Sequence, residues 1–240
     1  MKDPAAFNFD GDYGDEYKEL AGRVIPGYNE LFLATLALLQ ERLAENARIL
    51  VVGCGTGREI ETFAPAEPGW RFDAVDPALE MVRCTASVAE HLGVQDRVSV
   101  HHAYTHDLDL PYKYDAATVI NVMHFLPDGG AKDRLMCSVA ERMHPGGTVM
   151  LFDLHGDPTR PYFPLYYSAW IRFMELRGYR GAKKERLLKR LAAGIAYVGE
   201  DRVLEICSGA GLRLIRRYWG GLLNTGWILE CNKPAVKVSG

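Results

Sequence analysis

The sequence is poor in the features that mark extracellular, metal-binding or membrane-spanning proteins. Its five cysteines, Cys54, Cys84, Cys137, Cys207 and Cys231, are scattered, with no C-x-x-C pair and no histidine at metal-ligand spacing. Neither a disulfide framework nor a metal site is expected from them; they read as buried free thiols of a reducing compartment. The greasiest run, Leu31 to Leu39, is too short to cross a bilayer, and the opening MKDPAAFNFD has no apolar signal core, which points to a cytoplasmic chain. An excess of charge of one sign is also missing: the formal net charge is −3, so there is no global attraction to nucleic acid or anionic lipid. Repeats and Gly/Ser- or Pro-rich linkers are absent as well. The 240 residues then fit one domain, 1–240, with an N-terminal flap and helix over 1–46 and an insertion over about 155–200.

What is present centres on Arg48 to Glu61, RILVVGCGTGREIE. Aliphatic residues Ile49 to Val52 pass into Gly53, Gly55 and Gly57 and then into helical spacing: a buried strand, a tight turn and a helix start. Glycines let the turn adopt angles closed to other residues and let a ligand approach the main chain, while the helix behind aims unpaired N–H groups at the same spot. A dinucleotide fingerprint would put its third glycine at position 58, where this chain has Arg58. The form is G-x-G-x-G instead. A second strand, 71 to 75, delivers Asp76, an acid placed to accept both hydroxyls of a ribose; an N-cap for the helix beginning at Pro77 is the competing role, and both stay open.

Further along, 98 to 103, 116 to 121 and 148 to 153 read as strands and 78 to 91 and 128 to 143 as helices, with a turn at His144-Pro145-Gly146-Gly147. Five strand-helix units in succession imply a parallel, doubly wound α/β sheet, whose ligands bind beyond the carboxyl ends of the strands. Residues 29 to 45 form an amphipathic helix against that sheet, preceded by Tyr28, which on spacing alone is a packing residue. From His155 the alternation stops. A Pro- and aromatic-rich stretch holding Tyr162, Tyr166, Tyr167 and Trp170 reads as a helical lid or substrate pocket, and a basic stretch over 172 to 190 follows. Residues 212 to 219 and 222 to 230 close the chain as a hairpin.

Together VVGCGTG, Asp76, the Tyr104-Thr105 turn, Asn121, HPGG and the closing strand pair resemble the class I S-adenosylmethionine-dependent methyltransferases. Within them the chain is similar to the carboxy-S-adenosylmethionine synthases and the small methyltransferases grouped with these, through Phe7/Phe9, the IPGY segment at 25 to 28 and the stretch from Asn121 to Pro127. The resemblance implies a Rossmann-like, doubly wound seven-stranded sheet with one strand of the last hairpin antiparallel. It also implies S-adenosyl-L-methionine as cofactor, held by Tyr28, Gly53, Cys54, Gly55, Thr56, Gly57, Asp76, Pro77, Met81, Tyr104, Thr105, Asn121 and Val122. In the synthases a late arginine holds the extra carboxylate; Arg190 is the best-matching register here and Arg186 the alternative.

An activated methyl group asks the protein to align a nucleophile and exclude water, with a general base where the nucleophile is protonated. His124 and His155 are the catalytic candidates, beside Asp153. Tyr162, Tyr166, Tyr167, Trp170 and Arg190 are the candidates for the substrate pocket. The leading expectation is a methyltransferase acting on O, N or C of a small-molecule acceptor. Carboxy-S-adenosylmethionine synthesis for transfer RNA wobble modification is the second and a non-catalytic cofactor-binding partner subunit the third. No metal, no membrane and no nucleic-acid partner are expected, and a homodimer is left open.

Overall fold

The computed structural model describes Phe9 and residues 20–232; Phe7 and most of the expected N-terminal flap lie outside the described residues. Strands β1 (Arg48–Val52), β2 (Arg71–Asp76), β3 (Val98–His102), β4 (Tyr114–Ile120), β5 (Met143–Leu154), β6 (Leu212–Gly221) and β7 (Asn224–Cys231) form one sheet in the order β3-β2-β1-β4-β5-β7-β6. β1 to β5 run parallel, and β7 is antiparallel to both of its neighbours. The expected seven-stranded, doubly wound sheet is therefore observed, with β7 as the reversed strand. Central strand β1 is a continuous apolar run because helices cover both faces.

On one face pack α1 (Tyr28–Gln40), α2 (Arg58–Ala66), α5 (Phe163–Leu176) and α6 (Gly181–Gly194), contributing Leu31, Phe32, Phe63, Trp170 and Leu187 to the first core. α4 (Ala131–Arg142) and α7 (Glu200–Gly209) contribute Met136, Val139, Val203 and Ile206 to the second. α3 (Leu79–His91) follows β2. The chain leaves β1 towards β2 and β3, then returns to place β4 on the other side of β1. The carboxyl ends of β1 and β4 thus flank the point where the winding reverses, which is where such sheets open a crevice.

The helix expected over 29 to 45 instead includes Tyr28 and ends at Gln40, and three further boundaries differ from expectation, each for a local reason. The HPGG segment is no turn ahead of the fifth strand: β5 already starts at Met143, and the segment is an irregularity between the Tyr114–Met143 and Ala116–Thr148 pairs. α4 begins only after Gly130, whose φ of 90° is left-handed. The basic stretch over 172 to 190 is two helices, α5 and α6, separated at Gly178, where φ is 81°.

The insertion is anchored to the N-terminal segment by one buried bond. Trp170 Nε1 donates to the Val24 carbonyl at 2.6 Å. Trp170→Phe keeps a ring in place but orphans that carbonyl, and should lower the unfolding free energy by about 1–3 kcal/mol in denaturant titration. An unchanged midpoint would mean that the docking of α5 does not depend on the bond.

Candidate active site

The turn after β1 is built on left-handed backbone: φ is 66° at Gly53, 52° at Gly55 and 79° at Gly57. A Cβ on Gly53 would fall 2.5 Å from Val122 Cγ2, whereas one on Gly55 would meet nothing nearer than the Gly53 carbonyl at 3.9 Å, so Gly55 floors an open space. Asp76 holds the turn in shape. Its Oδ2 accepts the Gly55 N–H at 3.1 Å and its Oδ1 the Ala78 N–H at 2.9 Å. The helix that follows starts at Leu79 with Ala78 at its N-cap and no side-chain cap bond, so Asp76 is not the N-cap that was expected; it braces the loop and the approach to α3, and it lines the crevice.

Above the loop lies a cleft of about 850 Å³, counted to its open mouth. Of the residues expected to hold a cofactor, it is lined by Tyr28, Gly53, Cys54, Gly55, Thr56, Asp76, Pro77, Met81, Asn121 and Val122. Gly57, Tyr104 and Thr105 are not in the lining: Gly57 packs on Thr85 and Val88, Thr105 is buried in a 3₁₀ turn, and Tyr104 is exposed and stacks on His106. The sequence reading missed Phe32, Arg58, Glu59 and Phe125 in the walls. Phe9 also lines the cleft, edge-on to Phe125 at 5.1 Å.

Asn121 has φ of 59°, a left-handed angle on a non-glycine residue, with its N–H donated to the Phe152 carbonyl. Such angles persist where the surroundings impose them, commonly at functional sites. It lines the cleft on one side and, with Phe125, a second, half-open cavity on the other, about 460 Å³ counted to its mouth. Val24, Leu154, Trp170, Leu187 and Leu191 make the second cavity apolar, and His124 and Asn224 give it polar groups. Asn224 is buried and its Nδ2 has no partner.

His124 lies in the 3₁₀ turn after β4 and Asp153 near the end of β5, both buried. His124 Nδ1 hydrogen-bonds the Asp153 carboxylate. With Nδ1–H donated, Nε2 carries the lone pair. Lys132, fully buried on α4, donates to the Met123 carbonyl at 2.7 Å and so ties down the same turn. Burial holds its pKa below the usual lysine value, against the pull of Asp153 and Asp128. Sequence gave no sign of Lys132 beyond a charge on an otherwise inward-facing helix side.

The other candidates are placed elsewhere. His155 lines neither cavity; its Nε2 is 2.8 Å from Thr225 Oγ1, and burial pushes its pKa down, so it is a neutral packing residue. Trp170 is in the second cavity's wall, but Tyr162, Tyr166 and Tyr167 are in neither wall: the first two are exposed and edge-on to each other, and Tyr167 stacks on Phe163. Arg190, half-buried on α6, is likewise outside both linings. No cluster of metal-ligand residues occurs among the described residues, and no described helix is long and apolar enough to cross a membrane.

Residues 50–149 match the family model described as "Methyltransferase domain". A ubiquinone biosynthesis O-methyltransferase of Xanthomonas campestris pv. campestris is 32% identical over 112 residues, 47% of this chain and 45% of the relative. A carboxy-S-adenosyl-L-methionine synthase of Alteromonas mediterranea is 22% identical over 176 residues, covering 72% of this chain and 71% of the synthase. Among solved structures, the N-methyltransferase NodS of Bradyrhizobium japonicum WM9, in complex with S-adenosyl-L-homocysteine, superposes with a TM-score of 0.61 over 95% of both chains at 14% identity. The chain spans between 25% and 71% of the length of these and other curated relatives.

Two substitutions separate strain from filling at the loop. Gly53→Ala should cost about 1–3 kcal/mol of stability through the clash and the left-handed angle together. Gly55→Ala meets no atom and should cost about 1–2 kcal/mol from the angle alone, yet weaken S-adenosylhomocysteine binding the more, because its methyl group fills the floor of the cleft. Calorimetric affinity beside denaturant unfolding reads both; equal binding by the Gly55 variant would move the ligand off the loop.

Proposed function

We propose, for a chain that by its fold and its matched domain is a class I S-adenosylmethionine-dependent methyltransferase, that it methylates a hydroxyl oxygen of a small, largely apolar acceptor. The observation that carries this reading is His124, bonded to the buried Asp153 carboxylate behind it, in the wall of a second, mostly apolar cavity that shares Asn121 and Phe125 with the cleft. When bound, the cofactor supplies an activated methyl group on a cationic sulfur. A thiolate or free amine would need no base, whereas a hydroxyl does.

The residues present fit that cofactor. Gly55 leaves room for it against the main chain, and Asp76 offers carboxylate lone pairs for a ribose diol beyond the two N–H bonds it already accepts. Met81, Phe32 and Val122 offer apolar surface. Tyr28 hydroxyl stays protonated, since burial and the nearby Glu59 both raise its pKa.

In the proposed reaction the acceptor lies in the second cavity with its hydroxyl at His124 Nε2. His124 removes the proton as the oxygen attacks, and Asp153 stabilises the imidazolium and keeps the ring in the tautomer with Nε2 free. Asn121 and Phe125 form the partition across which the two ligands meet. The apolar lining excludes water, so the hydroxyl oxygen is the nucleophile presented. The likeness to a ubiquinone biosynthesis O-methyltransferase is consistent with this choice of atom.

The test is a panel of phenols, catechols and aliphatic alcohols with isotope-labelled S-adenosylmethionine, followed by mass analysis. Once an acceptor is found, His124→Ala should lower kcat by about 10²–10⁴-fold and leave S-adenosylhomocysteine affinity unchanged. Asp153→Asn should lower kcat in the same direction. A His124 variant with full activity would remove the base. A product heavier by a carboxylate with prephenate as donor would indicate the synthase, and tight cofactor binding with no acceptor turned over would indicate a partner subunit.

A further inference from the structure

The proposed reaction leaves one buried acid without a task. Glu59, in the first turn of α2, is 4% exposed and lines the cleft. Its carboxyl accepts its own backbone N–H and, from another residue, a long bond in which Thr118 Oγ1 donates to Oε1 at 3.4 Å. No described cation pairs with it. Arg58, next to it, donates to Glu61 at 2.7 Å and to Asn29 at 3.0 Å, and its Nε is buried without a partner. A buried carboxyl with unfilled acceptor sites is costly unless something arrives to fill them.

The cleft therefore has two acids of different standing. Asp76 has one oxygen engaged by the Gly55 N–H of the turn after β1 and the other by the Ala78 N–H, whereas Glu59 has only its own N–H and the long bond from Thr118. Cys54 lies between them in effect: burial chiefly, then Asp76 and Glu59, raises its thiol pKa. A ligand with a diol at one end and a primary ammonium at the other matches this pair of acids. The cofactor has both. Its amino-acid end is a zwitterion, and the adjacent Arg58 and Glu59 carry the two opposite charges.

We propose that Glu59 receives the ammonium of the cofactor's amino-acid end, with Arg58 facing its carboxylate, so that cofactor binding ionises Glu59 and releases a proton. This rests on the cofactor assignment and not on the choice of acceptor. Burial pushes the Glu59 carboxyl up to about 7, opposed by its own backbone N–H, Thr118 and Arg58. The other titratable groups around it are Tyr28 on α1, Tyr218 on β6, Cys54 after β1 and Glu61 and Arg58 on its own helix. Burial raises Tyr28, Tyr218 and Cys54 above their ordinary values, so they stay neutral between pH 5 and 7.5 and leave the titration to Glu59.

The signs follow. The free protein's Glu59 holds a proton that an unfolded chain has lost above about pH 4.5, so its contribution to stability falls as pH rises through about 7. A bound ammonium favours the carboxylate, so affinity should rise about tenfold per pH unit up to about 7 and then level off. Calorimetry at pH 5.5 to 7.5, in paired buffers of different ionisation enthalpy, counts the proton. S-adenosylhomocysteine should release close to one proton at pH 6, and 5′-methylthioadenosine, which lacks the amino-acid end, none. Glu59→Gln should abolish the release and flatten the pH dependence for S-adenosylhomocysteine while leaving methylthioadenosine unchanged. Binding of S-adenosylhomocysteine by the unaltered protein without proton release would overturn the role of Glu59 alone. If neither nucleoside binds, the cofactor assignment falls and this inference with it.

Discussion

The arrangement of this molecule depends on the two hydrogen bonds that Asp76 accepts. One oxygen takes the N–H of Gly55 and the other that of Ala78, so a single buried carboxylate joins the end of β2 to the turn after β1 and to the entry of α3. The turn needs such a brace because three of its glycines sit in the left-handed region, where the chain gains little from its own ladder. Val75 supplies the complementary hold, its carbonyl accepting the N–H groups of Gly53 and Cys54 at 2.8 and 3.1 Å. The loop is rigid in shape yet leaves its inner surface open, and that combination is what a cradle for a small ligand requires.

The second constraint is at the ends of β4 and β5. The turn after β4 carries His124 and the end of the adjacent parallel strand β5 carries Asp153, and burial of both makes their pairing obligatory rather than decorative. Lys132 then pins the turn through the Met123 carbonyl from below. Because the turn is fixed from two sides, Asn121 is held at its left-handed angle, and Asn121 is the partition between cleft and cavity. Strain at that one residue is the cost of bringing two ligand spaces together at a single wall.

Much of this was legible in the residues. The glycine spacing, Asp76 and the strand-helix alternation predict the sheet and the cleft because they depend on local backbone chemistry and on period. His124 was legible as a candidate, since it follows the strand next to β1 by four residues. Tyr104 and Arg190 were assigned by likeness of position in the chain and Tyr162, Tyr166 and Tyr167 by the aromatic composition of the insertion; whether such a side chain faces a cavity is decided by the packing angles of helices and loops that the sequence does not state. Glu59 and Lys132 were missed for the opposite reason: charged residues on helices read as solvent-facing, and only the tertiary fold turns their side of the helix inward.

The division of labour between the two spaces explains how such a fold takes on different acceptors. The cleft is made by the sheet's carboxyl edge and α2, whose positions follow from strand pairing, so it varies little in shape. The second cavity is closed by Val24, Trp170, Leu187 and Leu191, which come from the N-terminal segment, α5 and α6. None of these pairs with the sheet, and α5 is tied to the segment by the Trp170 bond to Val24. Side-chain changes there alter the size of the acceptor space without moving a strand. Within it Asn121, His124 and Asn224 are the polar points, and because all three project from the ends of strands or the turns that follow them, they keep their places while the apolar walls change. Recognition of the acceptor then combines a fixed polar geometry, set by β4, β5 and β7, with an adjustable apolar volume set by the insertion.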